Sequence, residues 1–61
     1  MCLSTVYKVV NGKNEKIGEY ISSVKIENGK IFISDIMGAV KEIAGNISYI
    51  DLVKNEITIE K

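Results

Sequence analysis

Apolar and polar residues alternate with period two along most of this 61-residue chain, and that pattern predicts strands. In the opening run Met1-Cys2-Leu3-Ser4-Thr5-Val6-Tyr7-Lys8-Val9-Val10, one face carries Leu3, Thr5, Tyr7 and Val9 and the other Cys2, Ser4, Val6 and Lys8. Asn11-Gly12 ends the run as a turn with positive φ. Glu15 to Ile17 reads as a short extended piece before Gly18. The clearest signal lies in mid-chain: Val24 and Ile26 alternate into Asn28-Gly29, and Ile31 and Ile33 alternate out of it. An Asn-Gly pair flanked by alternating apolar residues is a β-hairpin.

The last stretch repeats the pattern. Ile50-Asp51-Leu52-Val53, Lys54-Asn55 and Glu56-Ile57-Thr58-Ile59-Glu60 predict a second tight hairpin, with Asn55 able to take the left-handed conformation its turn needs. Between the hairpins, Ile36, Val40 and Ile43 have the spacing of a helical stripe, but Gly38 and Gly45-Asn46 oppose a helix. A turn over Asp35 to Gly38 followed by a strand from Ala39 to Ile43 is the preferred reading. The expected fold is therefore all-β: residues 1–61 as one small β-barrel domain or rolled meander of five to seven short antiparallel strands. The composition agrees, with eleven Ile and six Val.

Charge and chemistry narrow the function classes. Eight lysines balance eight acids, Arg and His are absent, and the sequence pI is about 6.2. Without histidine no side chain has an ordinary pKa near neutrality, and neither a Ser–His nor a Cys–His nucleophile can be assembled. The carboxylates stand beside lysines, as in Glu15-Lys16 and Lys41-Glu42, in the manner of a solvated surface. No catalytic residue is expected, and the chain is read as a non-enzyme. Clustered basic residues, the usual footprint of nucleic-acid binding, are missing. Tyr7, Tyr20, Tyr49 and Phe32 have the rings for base stacking, but core or cross-strand packing is their commoner use in strands. No apolar run approaches the ~20 residues that span a bilayer, and the opening residues lack the charged segment of a signal peptide. The single cysteine excludes a disulfide framework and fits a reducing, cytoplasmic setting.

That cysteine is the second residue. With Met1 in place, the Met1 amine, the deprotonated Cys2 amide and the Cys2 thiolate can close two fused five-membered chelate rings on a metal; with Met1 removed, the Cys2 amine and thiolate close one such ring. Such N,S donation suits square-planar Ni(II) or Cu(II). One chain leaves positions open, and a two-fold dimer supplying two N-termini would complete a four-coordinate site. Against this stands packing: a lone cysteine early in an apolar strand is usually a small buried hydrophobe. Met37 is a second candidate sulfur donor, with gap-filling as its commoner role.

A resemblance favours the metal. Met1-Cys2-Leu3-Ser4 before a valine-rich strand resembles the opening of the CooT family of small nickel-binding proteins. Ile17-Gly18 with the strand from Tyr20 to Val24, Asp35-Ile36-Met37-Gly38, and Ile50 through Ile57 match further along. The resemblance implies an SH3-like β-barrel that dimerises, with Met1 and Cys2 holding Ni(II) near the dimer interface. It also implies a cytoplasmic metallochaperone role in maturing a client nickel enzyme, carbon monoxide dehydrogenase. The alternative is a non-catalytic β-barrel binding module for RNA or protein.

Overall fold

The computed structural model describes residues 3–60, and every regular element in it is a strand. In chain order they are β1 (Ser4–Val10), β2 (Lys13–Glu27), β3 (Lys30–Asp35), β4 (Val40–Ala44), β5 (Asn46–Asp51) and β6 (Glu56–Glu60). They form one six-stranded sheet in the order β4-β3-β2-β1-β6-β5. The all-β expectation and the strand count hold, and the strand expected over 39–43 is found at Val40–Ala44, with no helix.

Both Asn-Gly pairs make the turns their chemistry predicts. Asn11 and Gly12 have φ of 52° and 77°, and Asn28 and Gly29 have 51° and 76°. Positive φ at both central residues defines the turn whose twist matches antiparallel strands. β2 differs from expectation because the two predicted pieces are one 15-residue strand. Its first half pairs with β1 and its second with β3, so it belongs to both halves of the sheet. The change of direction falls at Tyr20, whose φ is 55° and where the register with β1 shifts. A bulge of this kind bends a strand without ending it.

Four of the five ladders are antiparallel hairpin pairings, but β1 and β6 pair parallel, with Val6 opposite Ile57 and Lys8 opposite Ile59. This ladder joins the two ends of the chain and gives the sheet one inner face. Val6, Ile21, Ile31, Ile33, Ile43 and Ile59 make the core, with Ile17, Val24, Ile47 and Ile57 packed against it. The core is entirely aliphatic, so the tyrosines and Phe32 do not serve as core residues. The ladders leave β4 and β5 as the two ends of the sheet, unpaired with each other. The sheet is not closed there by hydrogen bonds, although Gly45 alone separates the two strands along the chain.

Gly45 is the one residue that fits this corner. Its φ is 137°, and a Cβ there would lie 2.7 Å from the Glu60 carbonyl oxygen and 3.1 Å from Ile59. Both the backbone conformation and the space exclude a side chain. Gly45→Ala is expected to cost about 3 kcal/mol and to lower the melting temperature by on the order of 15 °C in a domain of this size. Gly29→Ala, at a turn with open space around it, is expected to cost about 1 kcal/mol. Thermal denaturation of the two variants beside the parent tests the ranking, and equal losses would refute the corner's role.

Candidate functional site

Chemistry-bearing residues of this chain converge on the rim where β1 begins. Ser4 pairs with Ile21 on one side, and Ile21 in turn pairs with Asp35. On the other side Thr5 pairs with Glu56, and Glu56 with Asp51. The register therefore sets the loop after β3 and the loop after β5 on either flank of the same strand start. A backbone bond from Thr5 N–H to the Asn55 carbonyl (2.9 Å) and one from Ile36 N–H to the Tyr20 carbonyl (3.1 Å) tie both flanks down.

The two loops share one construction. Each opens on an aspartate whose carboxylate accepts backbone N–H groups from within the loop. Asp35 Oδ1 accepts from Met37 (2.8 Å) and Ala39 (3.0 Å), and Asp51 Oδ1 accepts from Val53 and Lys54 (both 3.0 Å). Aspartate satisfies its own loop's donors this way, which frees the next residues from the ladder. In each loop those next residues are a pair of large apolar side chains. Met37, Leu52 and Val53 are 87%, 82% and 93% exposed, and Ile36 is exposed beside them. Leu52 and Val53 thus lie in a loop, not in the strand their hydrophobicity predicts. The signal for this was in the sequence: Asp-Ile-Met at 35–37 and Asp-Leu-Val at 51–53 are the same local pattern.

Beside the rim, a cleft of about 160 Å³ is lined by Ile17, Gly18, Ile21, Ile33, Asp35 and Lys41, among others. Lys41 Nζ crosses it to donate to the Ile17 carbonyl at 2.7 Å, a group the bulge removes from regular pairing. Next to it Lys16 donates to Glu19 Oε1 at 3.1 Å. That hydrogen bond and the Glu19 charge raise the Lys16 pKa above its ordinary value, with smaller contributions from Tyr7 and Tyr20. Among the described residues no group of three or more Cys, Asp or Glu side chains is placed to hold a metal ion. The predicted ligands Met1 and Cys2 lie outside the described residues. Met37 stands on the rim in solvent, so its gap-filling reading is not what the structure shows.

The comparisons with known proteins agree with this architecture. The family model for "CO dehydrogenase accessory protein CooT" matches residues 1–60. Among solved structures, the crystal structure assigned to CooT from Carboxydothermus hydrogenoformans superposes with a TM-score of 0.89. It is 23% identical, with 98% of this chain and 97% of that chain covered, which establishes the shared fold. A search of curated proteins finds no match.

The paired loops generate a stability prediction. Asp35→Ala and Asp51→Ala are each expected to cost about 1 kcal/mol. Hydrogen exchange should speed up at the amides each carboxylate holds, Met37 and Ala39 in the first case and Val53 and Lys54 in the second. Unchanged protection of those amides would show that the aspartates do not set the loops.

Proposed function

This chain belongs to the CooT family of CO dehydrogenase accessory proteins, and from that membership we propose that it is a homodimeric Ni(II)-binding protein serving maturation of that enzyme. As an accessory protein it is not itself a catalyst. Nickel is its cargo, bound by the Cys2 thiolate together with the Met1 amine and the Cys2 amide. The observation that carries the proposal is the pair of apolar loops around the start of β1. Cys2 is bonded directly to Leu3, so covalent geometry tethers it one Cα–Cα step, about 3.8 Å, from the first described residue.

The geometry supports a second copy as the occupant of that rim. Ile36, Met37, Leu52 and Val53 are apolar, solvent-facing and grouped by register on the two flanks of one strand. A patch of this character is an association site more often than a free surface. A two-fold contact there would bring two N-termini together, and four of their amine, amide and thiolate donors would fill one shared square-planar site. Ni(II) is preferred because deprotonated amide and thiolate donors favour square-planar d⁸ geometry. The cytoplasm is the matching compartment for a reduced thiol.

Two measurements test this. Ni(II) titrated into protein with its native N-terminus should produce thiolate-to-metal charge-transfer bands at one ion per two chains, and Cys2→Ser should abolish them. Equal binding by Cys2→Ser would overturn the site. Acidification should weaken binding, because the donors must lose protons. Independently, Met37→Asp combined with Leu52→Asp should shift the mass in solution from two chains to one. A parent that sedimented as one chain at every concentration and metal loading would overturn the dimer.

A further inference from the structure

The opposite kind of surface lies on the outer face of the sheet half formed by β5, β6 and β1. Its direction follows from strand alternation. Val6 and Ile59 are fully buried and Ile57 packs on the core, so Tyr7 and Thr58 point the other way. Register then sets four residues in one row across adjacent strands: Lys16, itself paired to Glu19, opposite Tyr7, Tyr7 opposite Thr58, and Thr58 opposite Tyr49. A bulge between Ile47 and Tyr49 re-aims Tyr49 onto this face, where it is 61% exposed. Ser48 fixes the bulge by donating to the Thr58 carbonyl at 3.3 Å.

The spacing of this row matters. Adjacent strands lie about 4.8 Å apart, so the two tyrosines rise from points roughly 10 Å apart with only a threonine between them. A cation held over Thr58 would stand about 5 Å from each ring, inside the ~6 Å range of cation–π attraction. Along β6, Glu56 and Glu60 flank Thr58 on the same face at about 7 Å each. The three ion pairs among the described residues are Lys16–Glu19, Lys25–Glu27 and Lys30–Glu42, and none of them uses Glu56 or Glu60. The outer face of β2, β3 and β4 is the contrast. There Lys25 and Lys30 already pair with Glu27 and Glu42.

We propose that this face docks a basic segment of a partner protein, seating an arginine or lysine side chain over Thr58 between Tyr7 and Tyr49 with Glu56 and Glu60 as its counter-charges. Charge complementarity chooses the occupant. Phosphate-bearing ligands such as RNA would meet two carboxylates that form no ion pair among the described residues, whereas a guanidinium or ammonium satisfies both the rings and the acids. The surface shares no residue with the rim loops or with Met1 and Cys2, so it stands or falls apart from the nickel reading.

The test is titration of the metal-free full-length protein with a hexa-arginine peptide, read residue by residue by ¹⁵N NMR. Shifts should centre on Tyr7, Tyr49 and 56–60. Tyr49→Ala should weaken binding about threefold to fivefold, the scale of one exposed cation–π contact. Tyr49→Phe should keep parental affinity because the ring face remains. Glu56→Gln should weaken binding and flatten its salt dependence, while Glu42→Gln on the other face should do neither. The proposal is overturned if shifts spread evenly over both faces, or if Tyr49→Ala binds as the parent does. It is also overturned if a uridine oligonucleotide binds the same residues more tightly than the peptide.

Discussion

Everything in this molecule depends on the parallel ladder between β1 and β6. It is the single pairing between strands that are not neighbours in sequence, and it joins residues about fifty positions apart. Without it the chain is two separate pieces, β1 to β4 and β5 to β6, each with an apolar face and nothing to cover it. An isolated two-stranded hairpin such as β5–β6 is marginal in water, and the four-stranded piece would leave its apolar face wet. The ladder sets fully buried Val6 beside the strand that carries fully buried Ile59, and so turns two one-sided sheets into one core. The entropy of closing so long a loop is recovered only when that core forms, so folding should be cooperative and governed by this contact. The same ladder places the start of β1 in the middle of the sheet, with a loop on either side, instead of at an edge.

How much of this was legible in the residues depends on the range of the interaction. Asn11-Gly12 and Asn28-Gly29 were readable because positive φ is a local property of those residue types, and both turns are as expected. The strand at 40–44 was readable for a similar reason, since Gly38 and Gly45 oppose a helix across it. Leu52 and Val53 were misread because hydrophobicity says strand, while the Asp51 carboxylate, by capturing two backbone donors, ends the ladder before them. The continuity of β2 through Gly18 and Tyr20 was hidden because a bulge is stabilised by partners on other strands. The parallel ladder left no local trace, for period-two patterning is blind to strand direction. At the rim, Met37 is a residue of interest from the sequence, but its counterparts in the second loop emerge only once register sets the two loops at the same end of the sheet.

A domain this small has no interior to spare for function. Its core is a handful of Ile and Val side chains, and its clefts, including one of about 440 Å³ over Lys25, Phe32 and Val40, lie open on the surface. Whatever it recognises must be recognised on the outside, and the outside is divided. The rim is apolar and uncharged at its tips, the β5-β6-β1 face carries tyrosines with glutamates that form no ion pair among the described residues, and the β2-β3-β4 face pairs its charges internally. The sheet ends are guarded as well: β4 carries Lys41 and Glu42, and β5 is interrupted by a bulge, features that discourage uncontrolled strand addition. Surfaces kept so distinct can serve separate partners at once, which suits an accessory protein.

The placement of the proposed nickel donors has an energetic consequence of its own. In structural metal sites the ligands come from within the fold, so binding energy becomes folding energy and the metal cannot leave without unfolding the protein. Here the core of Val6, Ile21, Ile31, Ile33, Ile43 and Ile59 is complete without any ligand. A site made from Met1 and Cys2 would couple to association of two chains rather than to folding of one. Loading would then favour the dimer by the same factor that dimerisation raises metal affinity, since linkage is reciprocal. A client that competed for the apolar rim would separate the two halves of the donor set and lower the affinity at the moment of contact. The rim, not the core, is therefore where a carrier of this design would control release.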